Sequence, residues 1–442
     1  MDIKTYIQRH PYQAYSYSYP HKHSYRPLAS PQSLQQVWQQ DSRSSLFLYV
    51  HIPFCEMRCG FCNLFTLANP QADLKQAYVD ALSAEVEATA QALGPVGVSR
   101  LAFGGGTPSF LDTVQLEQLL VRLDESFALK TDQLPTSFEV SPYTVAPDKL
   151  ALLRQAGVDR ISIGVQSFIE AETRRIGRHQ PQTLVREALD MICRQQFPTL
   201  NIDLIYGIPG QTAASWRQTL DSALRYQPQE IYLYPLYIRP LTGIGKRLSA
   251  DDRRQLDSRR QLYRVGRDFL LERGYQQLSL RMFRKADAEE TSGPVYCCQE
   301  DGMIGLGAGA RSYTSALHYS SRYAVGRTGV SRIISGYIEA GSDKEPVVDY
   351  GYLLDAEDQR RRYLILSLLS AQGVAFARYQ QRFGSALFDD FPQLRQLEEH
   401  GFASAGSTGL VLTPQGLEHS DSIGPWLYSD KVKRLIREYR LQ

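Results

Sequence analysis

The chain has 442 residues, 43% hydrophobic and 22% charged, with 49 Lys and Arg against 47 Asp and Glu. That composition belongs to a folded globular protein, and the length calls for one large domain and a smaller one. A formal net charge of +2 speaks against a nucleic-acid or membrane-surface protein. The N-terminus lacks the apolar core of a signal peptide and no segment is long enough to span a membrane, so the expected location is the cytoplasm.

Residues 1–45 show little periodicity and are rich in tyrosine (Tyr12, Tyr15, Tyr17, Tyr19 and Tyr25), beside His21-Lys22-His23. They read as an arm, either laid on the surface or contacting substrate. From Leu46, short apolar runs at 46–52, 100–105, 137–140, 160–165, 200–207 and 230–236 read as buried parallel strands. Helical patterns lie between them, at 77–93, 113–127 and 212–227 for example. Six such units in succession define an α/β fold. Most of these runs end in, or carry, residues that packing does not require: the cysteines, Gly105-Gly106-Thr107, Glu139, Gln166 and Asp203. Polar groups at successive strand ends suit one barrel mouth better than a single crevice, so a partial (β/α)6 barrel is expected over 46–340. After the polar stretch 341–351, helical patterns at 360–370, 376–384 and 394–402 lead into LVLTPQG, 410–416. These predict a winged-helix-like domain over 341–442. Glu398-Glu399 on its last helix argues against a nucleic-acid reader.

Three of the six cysteines, Cys55, Cys59 and Cys62, form C-x3-C-x2-C directly after the first strand. In a reducing compartment such a group holds metal or does chemistry. Structural zinc would need a fourth ligand, for which His51 is near in sequence. Inert burial is the bland alternative. An iron–sulfur cluster held by three thiolates would keep one iron open to a ligand. Cys193, Cys297 and Cys298 lie far along the chain and are not expected to belong to the set.

YVHIPFC…CGFC, followed in order by GGGTP, Glu139, GVQSF and NIDLIYGIPG, resembles the radical S-adenosylmethionine (radical SAM) superfamily. Within it, the likeness is to the oxygen-independent coproporphyrinogen III oxidase and haem chaperone group, over roughly 46–420. The resemblance implies that Cys55, Cys59 and Cys62 ligate a [4Fe–4S] cluster whose fourth iron is chelated by SAM. It implies SAM contacts at Tyr49, Phe61, Gly105, Gly106, Thr107, Glu139, Gln166, Arg178 and Asp203, with Arg178 near enough to balance Asp203. A looser match places Arg311 beside the site. One or two SAM molecules, a small-molecule substrate with a tetrapyrrole as one candidate, and an electron donor such as flavodoxin or ferredoxin complete the implied set. No nucleic acid and no membrane are expected as partners.

Two departures shape the expected function. The oxidases carry a further cysteine where this chain has Leu64, and the haem chaperones carry a haem-binding histidine motif where this chain reads GPVYCC, 293–298. The expectation is a divergent radical SAM oxidoreductase or methylase that abstracts hydrogen from a C–H bond, for decarboxylation or C1 transfer. A haem-trafficking protein and a true coproporphyrinogen III oxidase are the alternatives. A nicotinamide oxidoreductase fails because GGGTP lacks the G-x-G-x-x-G spacing.

Overall fold

The computed structural model describes residues 1–129, 133–239, 241–247, 258–288, 296–341 and 346–440. Six parallel strands, β1 (Leu46–Ile52), β2 (Val98–Gly105), β3 (Thr136–Val140), β4 (Arg160–Gln166), β5 (Thr199–Tyr206) and β6 (Glu230–Pro235), neighbour one another in chain order. Strand pairing is parallel throughout, as right-handed crossovers through helices require. Alternation assigns the faces. Leu48, Val50 and Ile52, then Ile161, Ile163 and Val165, then Ile202 and Leu204, are fully buried under the outer helices. Helix α1 (Ala72–Leu93) covers them with Tyr78, Val79, Leu82 and Val86, and α2 (Thr113–Phe127) with Leu116, Leu119 and Leu123. A reciprocal cap between Asp112 and Gln115 fixes the start of α2. The residues between the apolar positions face inward and are largely polar.

The barrel does not close on itself. Strand Met303–Leu306 runs parallel beside β1, and Met282–Lys285 runs antiparallel beside β6. Among the described residues these additions, with others, make one thirteen-stranded sheet. The added strands are three to eight residues long, too short to print a period on the sequence. Val347–Leu353 is one of them, although the sequence there reads as a polar linker; residues 342–345 lie outside the described set.

The C-terminal part has helices Ala356–Leu368, Phe376–Phe383 and Arg395–Glu399 and a three-stranded sheet of Val374–Ala375, Gly409–Leu412 and Ala403–Ala405. The winged-helix-like pattern is present, extended by helices Ser420–Trp426 and Asp430–Glu438. The largest departure is the arm, which is not laid on the surface. Ile3, Ile7, Tyr19 and Tyr25 are built into the C-terminal core, Trp38 into the barrel core, and Arg26–Ser33 pairs antiparallel with Val347–Leu353. Tyr19 donates its hydroxyl to Asp358 (2.6 Å), which also accepts from Tyr352 (2.6 Å) and Ser429 (3.1 Å). Contacts split between two cores follow no single period, which is why the arm reads as structureless.

Barrel and C-terminal part are joined by a buried ion pair, Arg281 Nη2 to Asp421 Oδ1 at 2.5 Å, with both side chains almost wholly enclosed. Removing one member of a buried pair strands the other charge. Asp421→Ala is therefore expected to cost about 3–5 kcal/mol in chemical denaturation. A loss under about 1 kcal/mol would show that the pair carries no such burden.

Candidate active site at the barrel mouth

The loop after β1 returns through a short parallel pairing of Phe54–Cys55 with Leu67–Ala68. This brings the half-buried thiols of Cys55, Cys59 and Cys62 together over the C-terminal end of the barrel. Thr107 donates to Cys55 Sγ (3.5 Å), and Thr66 lies 4.0 Å from Cys62 Sγ. Arg178 Nη1 donates to Cys59 Sγ (3.2 Å), while its Nη2 holds the Gly164 carbonyl (2.8 Å) and its Nε the Gln180 side chain (2.7 Å). Burial pushes the Cys55 thiol up to about 12, with the Thr107 hydrogen bond opposing, and raises Cys62 as well. Thiols so enclosed ionise when a cationic centre binds them.

His51 does not join the thiols. Its ring is buried, Nε2 donates to the Phe65 carbonyl (3.3 Å) and Nδ1 faces the Tyr49 hydroxyl (3.4 Å). Burial lowers it to about 4, so it stays neutral. Among the described residues, no three His, Cys, Asp or Glu side chains gather tightly enough for a single metal ion. A cluster, whose irons are separate, takes more widely spaced thiolates.

The three glycines at the end of β2, Gly104 to Gly106, are required by the protein's own atoms. A Cβ on Gly105 (φ +114°) would stand 2.7 Å from the His51 ring, and one on Gly106 would stand 2.5 Å from the Phe54 carbonyl and 3.0 Å from Cys55 Sγ. At Gly104 it would meet the Tyr49 hydroxyl at 3.0 Å and the Glu139 carboxyl at 3.1 Å. The bare backbone thus lets the cysteine loop settle on the strand end.

Glu139 and Asp203 face the barrel interior, where solvent reaches them but protein surrounds them. Desolvation raises Glu139 to about 7, with the Asp203 charge adding to it, and raises Asp203 to about 6, opposed by the Asn201 hydrogen bond (2.8 Å). The cation that chiefly balances Asp203 is Arg160, itself bound to Glu230 (2.8 Å), rather than Arg178. Arg178 also favours the Asp203 carboxylate, as expected, but less than Arg160 does, its hydrogen bonds going to Cys59, Gly164 and Gln180. Buried Asn201 Oδ1 has no partner, which leaves a hydrogen-bond acceptor free at the cavity wall.

Gln166 ends β4 at φ +69°, next to a register shift between Gly164 and Gln166. A non-glycine residue held there stores strain, as ligand-contacting positions often do. Buried Glu172 binds Ser167 (2.7 Å), Gln211 (3.0 Å) and Ser215 (2.6 Å), so the strand ends of β4 and β5 are pinned together. Phe61 packs on Ile176, Ile205, Ile208, Leu236 and Ile244 and anchors the cysteine loop from below. Tyr49, Phe61, Gly105, Gly106, Thr107, Glu139, Gln166, Arg178 and Asp203 thus share one mouth with the thiols. Arg311 reaches the same side, where it binds Tyr17 of the arm. Cys297 and Cys298 do not: Tyr296 packs on Phe47 near the start of β1, the opposite end from the cysteine loop. Residues 293–295 lie outside the described set.

Residues that the sequence reading missed are Arg160, Asn201 and Glu230. Asn201 alternates with Asp203 on β5, and Arg160 and Glu230 lie on the inward faces of the flanking strands β4 and β6; that alternation was the available signal.

Residues 49–223 match the Radical SAM superfamily and residues 354–419 the HemN C-terminal domain. The chain thus carries a radical SAM domain, and that superfamily implies a [4Fe–4S] cluster and SAM as cofactors. It is 28% identical to the heme chaperone HemW of Bacillus subtilis, over 83% of this chain and 95% of that protein. It is also 28% identical to the oxygen-independent coproporphyrinogen III oxidase of Escherichia coli, over 91% of each chain. The solved structure of that oxidase, described as a radical SAM enzyme, superposes with a TM-score of 0.80 at 25% identity, covering 94% of this chain and 97% of the other. Among the described residues no helix is long and apolar enough to cross a membrane.

Both interior carboxyls ionise above their unfolded values of 4.5 and 3.8. The native state thus holds more protons than the unfolded chain from about pH 4 to about pH 7, and their contribution to stability falls as pH rises through that window. Glu139→Gln is expected to flatten the fall, read as the pH dependence of the denaturation midpoint. An unchanged profile would place the carboxyl in ordinary solvent.

Proposed function

We propose that the protein is a SAM-cleaving radical enzyme in which Cys55, Cys59 and Cys62 hold a [4Fe–4S] cluster and the barrel interior holds SAM. The observation that carries this reading is the convergence of three thiols, Arg178 and the two proton-retaining carboxyls on one mouth. The cluster, when bound and reduced by an external one-electron donor, supplies the electron that splits SAM into methionine and a 5′-deoxyadenosyl radical. The chain's residues do the rest. Arg178 donates to Cys59 and favours its thiolate. Thr107 does the same for Cys55. Asp203 and Asn201 Oδ1 offer acceptors for hydroxyl and amine groups of SAM, and Glu139 offers one for its amino group. Gln166 is held in place by its strained backbone to meet the same ligand. Closed packing of Phe61 and the isoleucines beneath the loop keeps water from that side.

The substrate is read as a small molecule attacked at a C–H bond, with a tetrapyrrole favoured by the names of the relatives. Leu64, half exposed where the oxidases carry a further cysteine, sets this chain apart from them. Decarboxylation or C1 transfer follows the hydrogen abstraction.

Anaerobic reconstitution with iron, sulfide, SAM and a reductant tests the reading. Cys55→Ala, Cys59→Ala and Cys62→Ala should each lose the cluster and 5′-deoxyadenosine formation. Asp203→Asn should keep full iron yet bind SAM about tenfold to a hundredfold more weakly, the worth of a hydrogen bond to a charged group. Full iron in all three cysteine variants, or unchanged SAM affinity in Asp203→Asn, would remove the corresponding assignment.

A further inference from the structure

One side of the cysteine loop meets the rest of the chain through bare backbone. Cys62 N donates to the Cys59 carbonyl (3.1 Å), so Gly60 stands in the turn that carries two of the three thiols. Gly60 N donates to the Gly177 carbonyl (3.3 Å), and the Gly60 carbonyl accepts from Ile244 N (2.8 Å) in helix Gly243–Arg247. A Cβ on Gly177 would stand 3.0 Å from Gly60 Cα, and one on Gly243 would stand 3.4 Å from the same atom. Gly243 is exposed, and Gly60 and Gly177 are partly so. Solvent therefore reaches the turn at a seam of glycines, with no side chain of theirs in between.

Cations mark this seam. Arg247 Nη2 lies 2.9 Å from where a Gly60 Cβ would be and 3.1 Å from where a Gly177 Cβ would be. The Ile176 carbonyl lies 2.6 Å from the same Gly60 position, and Arg175, the residue before it, holds the Pro209 carbonyl (3.1 Å). Arg175, Lys246 and Arg247 are all exposed. Among the described residues, none of the three has a carboxylate within ion-pair distance. The sulfurs do not need Arg247, since Arg178 already donates to Cys59. A guanidinium laid on the turn, yet paired with no acid there, has its charge free for a partner that arrives from solution.

The chemistry above says what that partner would carry. The cluster takes its electron from outside, and electron transfer slows steeply with distance, so a donor must come close to Cys59 and Cys62. A seam of backbone permits a closer approach than a surface of side chains. Electron-transfer complexes are small and transient, and opposite charge steers their encounter. We propose that the face over Gly60, Gly177 and Gly243, set about by Arg175, Lys246 and Arg247, docks an acidic one-electron carrier protein. The docking face rests on the proposed function for its purpose, while binding itself needs no cleavage of SAM.

Titration of cluster-free protein with oxidised flavodoxin, and separately with oxidised ferredoxin, tests the face without the radical chemistry. The wild type should bind at least one of these acidic carriers at about 0.01 M salt and release it at about 1 M, as the screening length falls from about 30 Å to about 3 Å. Arg247→Glu should bind about tenfold more weakly, and Arg247→Lys should bind nearly as the wild type does. Arg332→Glu makes the same charge change at an exposed position on helix Arg327–Ala340 and should leave affinity unchanged. In reconstituted protein, Arg247→Glu should slow reduction of the cluster by the reduced carrier and leave its reduction by dithionite as it was. No binding of either carrier to the wild type, equal affinity in Arg247→Glu, or an equal loss in Arg332→Glu overturns the proposal. A wild type that binds a carrier but assembles no cluster overturns the proposed function instead.

Discussion

One guanidinium ties the site to the fold. Arg178 reaches Cys59 on the loop after β1, the Gly164 carbonyl near the end of β4 and the Gln180 side chain, all at hydrogen-bond distance. A planar, permanently charged fork is the side chain that can hold three such partners at fixed angles. The cysteine loop has little regular structure of its own, and between Cys55 and Leu64 only Phe61 packs on an apolar cluster. Its position over the barrel therefore depends on this clasp, on Thr107 and on the absence of side chains at Gly105 and Gly106. Residues contributed by four different strands are brought into register with it by the parallel pairing beneath.

The interior of the barrel sets a second constraint. Acids at Glu139, Asp203 and Glu230 crowd a space with Arg160 as their nearest cation. Desolvation settles the conflict by keeping protons on Glu139 and Asp203 at a pH where exposed acids have lost them. A cavity in that condition accepts a cationic, hydroxyl-rich ligand at low cost, since such a ligand supplies donors and positive charge to these acids. SAM, with its amine, sulfonium and ribose, has that character.

Much of this was legible in the chain. The six barrel strands are found within two residues of where alternation and apolar runs place them, and α2 spans the expected residues. Buried parallel strands flanked by amphipathic helices repeat often enough to declare themselves. The site residues stood out because polar groups at strand ends have no packing purpose. What stayed hidden depends on contacts distant in sequence. Tyr19 meets Asp358 and Ser429, Arg26–Ser33 finds Val347–Leu353, and Lys22 meets Tyr323; none of these leaves a local pattern. The larger share of Arg160 in balancing Asp203 stayed hidden for the same reason. Arg178 lies nearer than Arg160 in chain distance, and only the structure shows that its donors are already engaged.

The central claim is that three thiolates from the chain hold a cluster and leave one iron for SAM. Mössbauer spectroscopy of the protein reconstituted with iron-57 addresses it directly. With SAM added, one iron of the four should separate from the other three in isomer shift, and its signal should return to theirs when SAM is removed. Four irons that are indistinguishable with and without SAM would mean a fourth protein ligand closes the cluster, and would contradict the account.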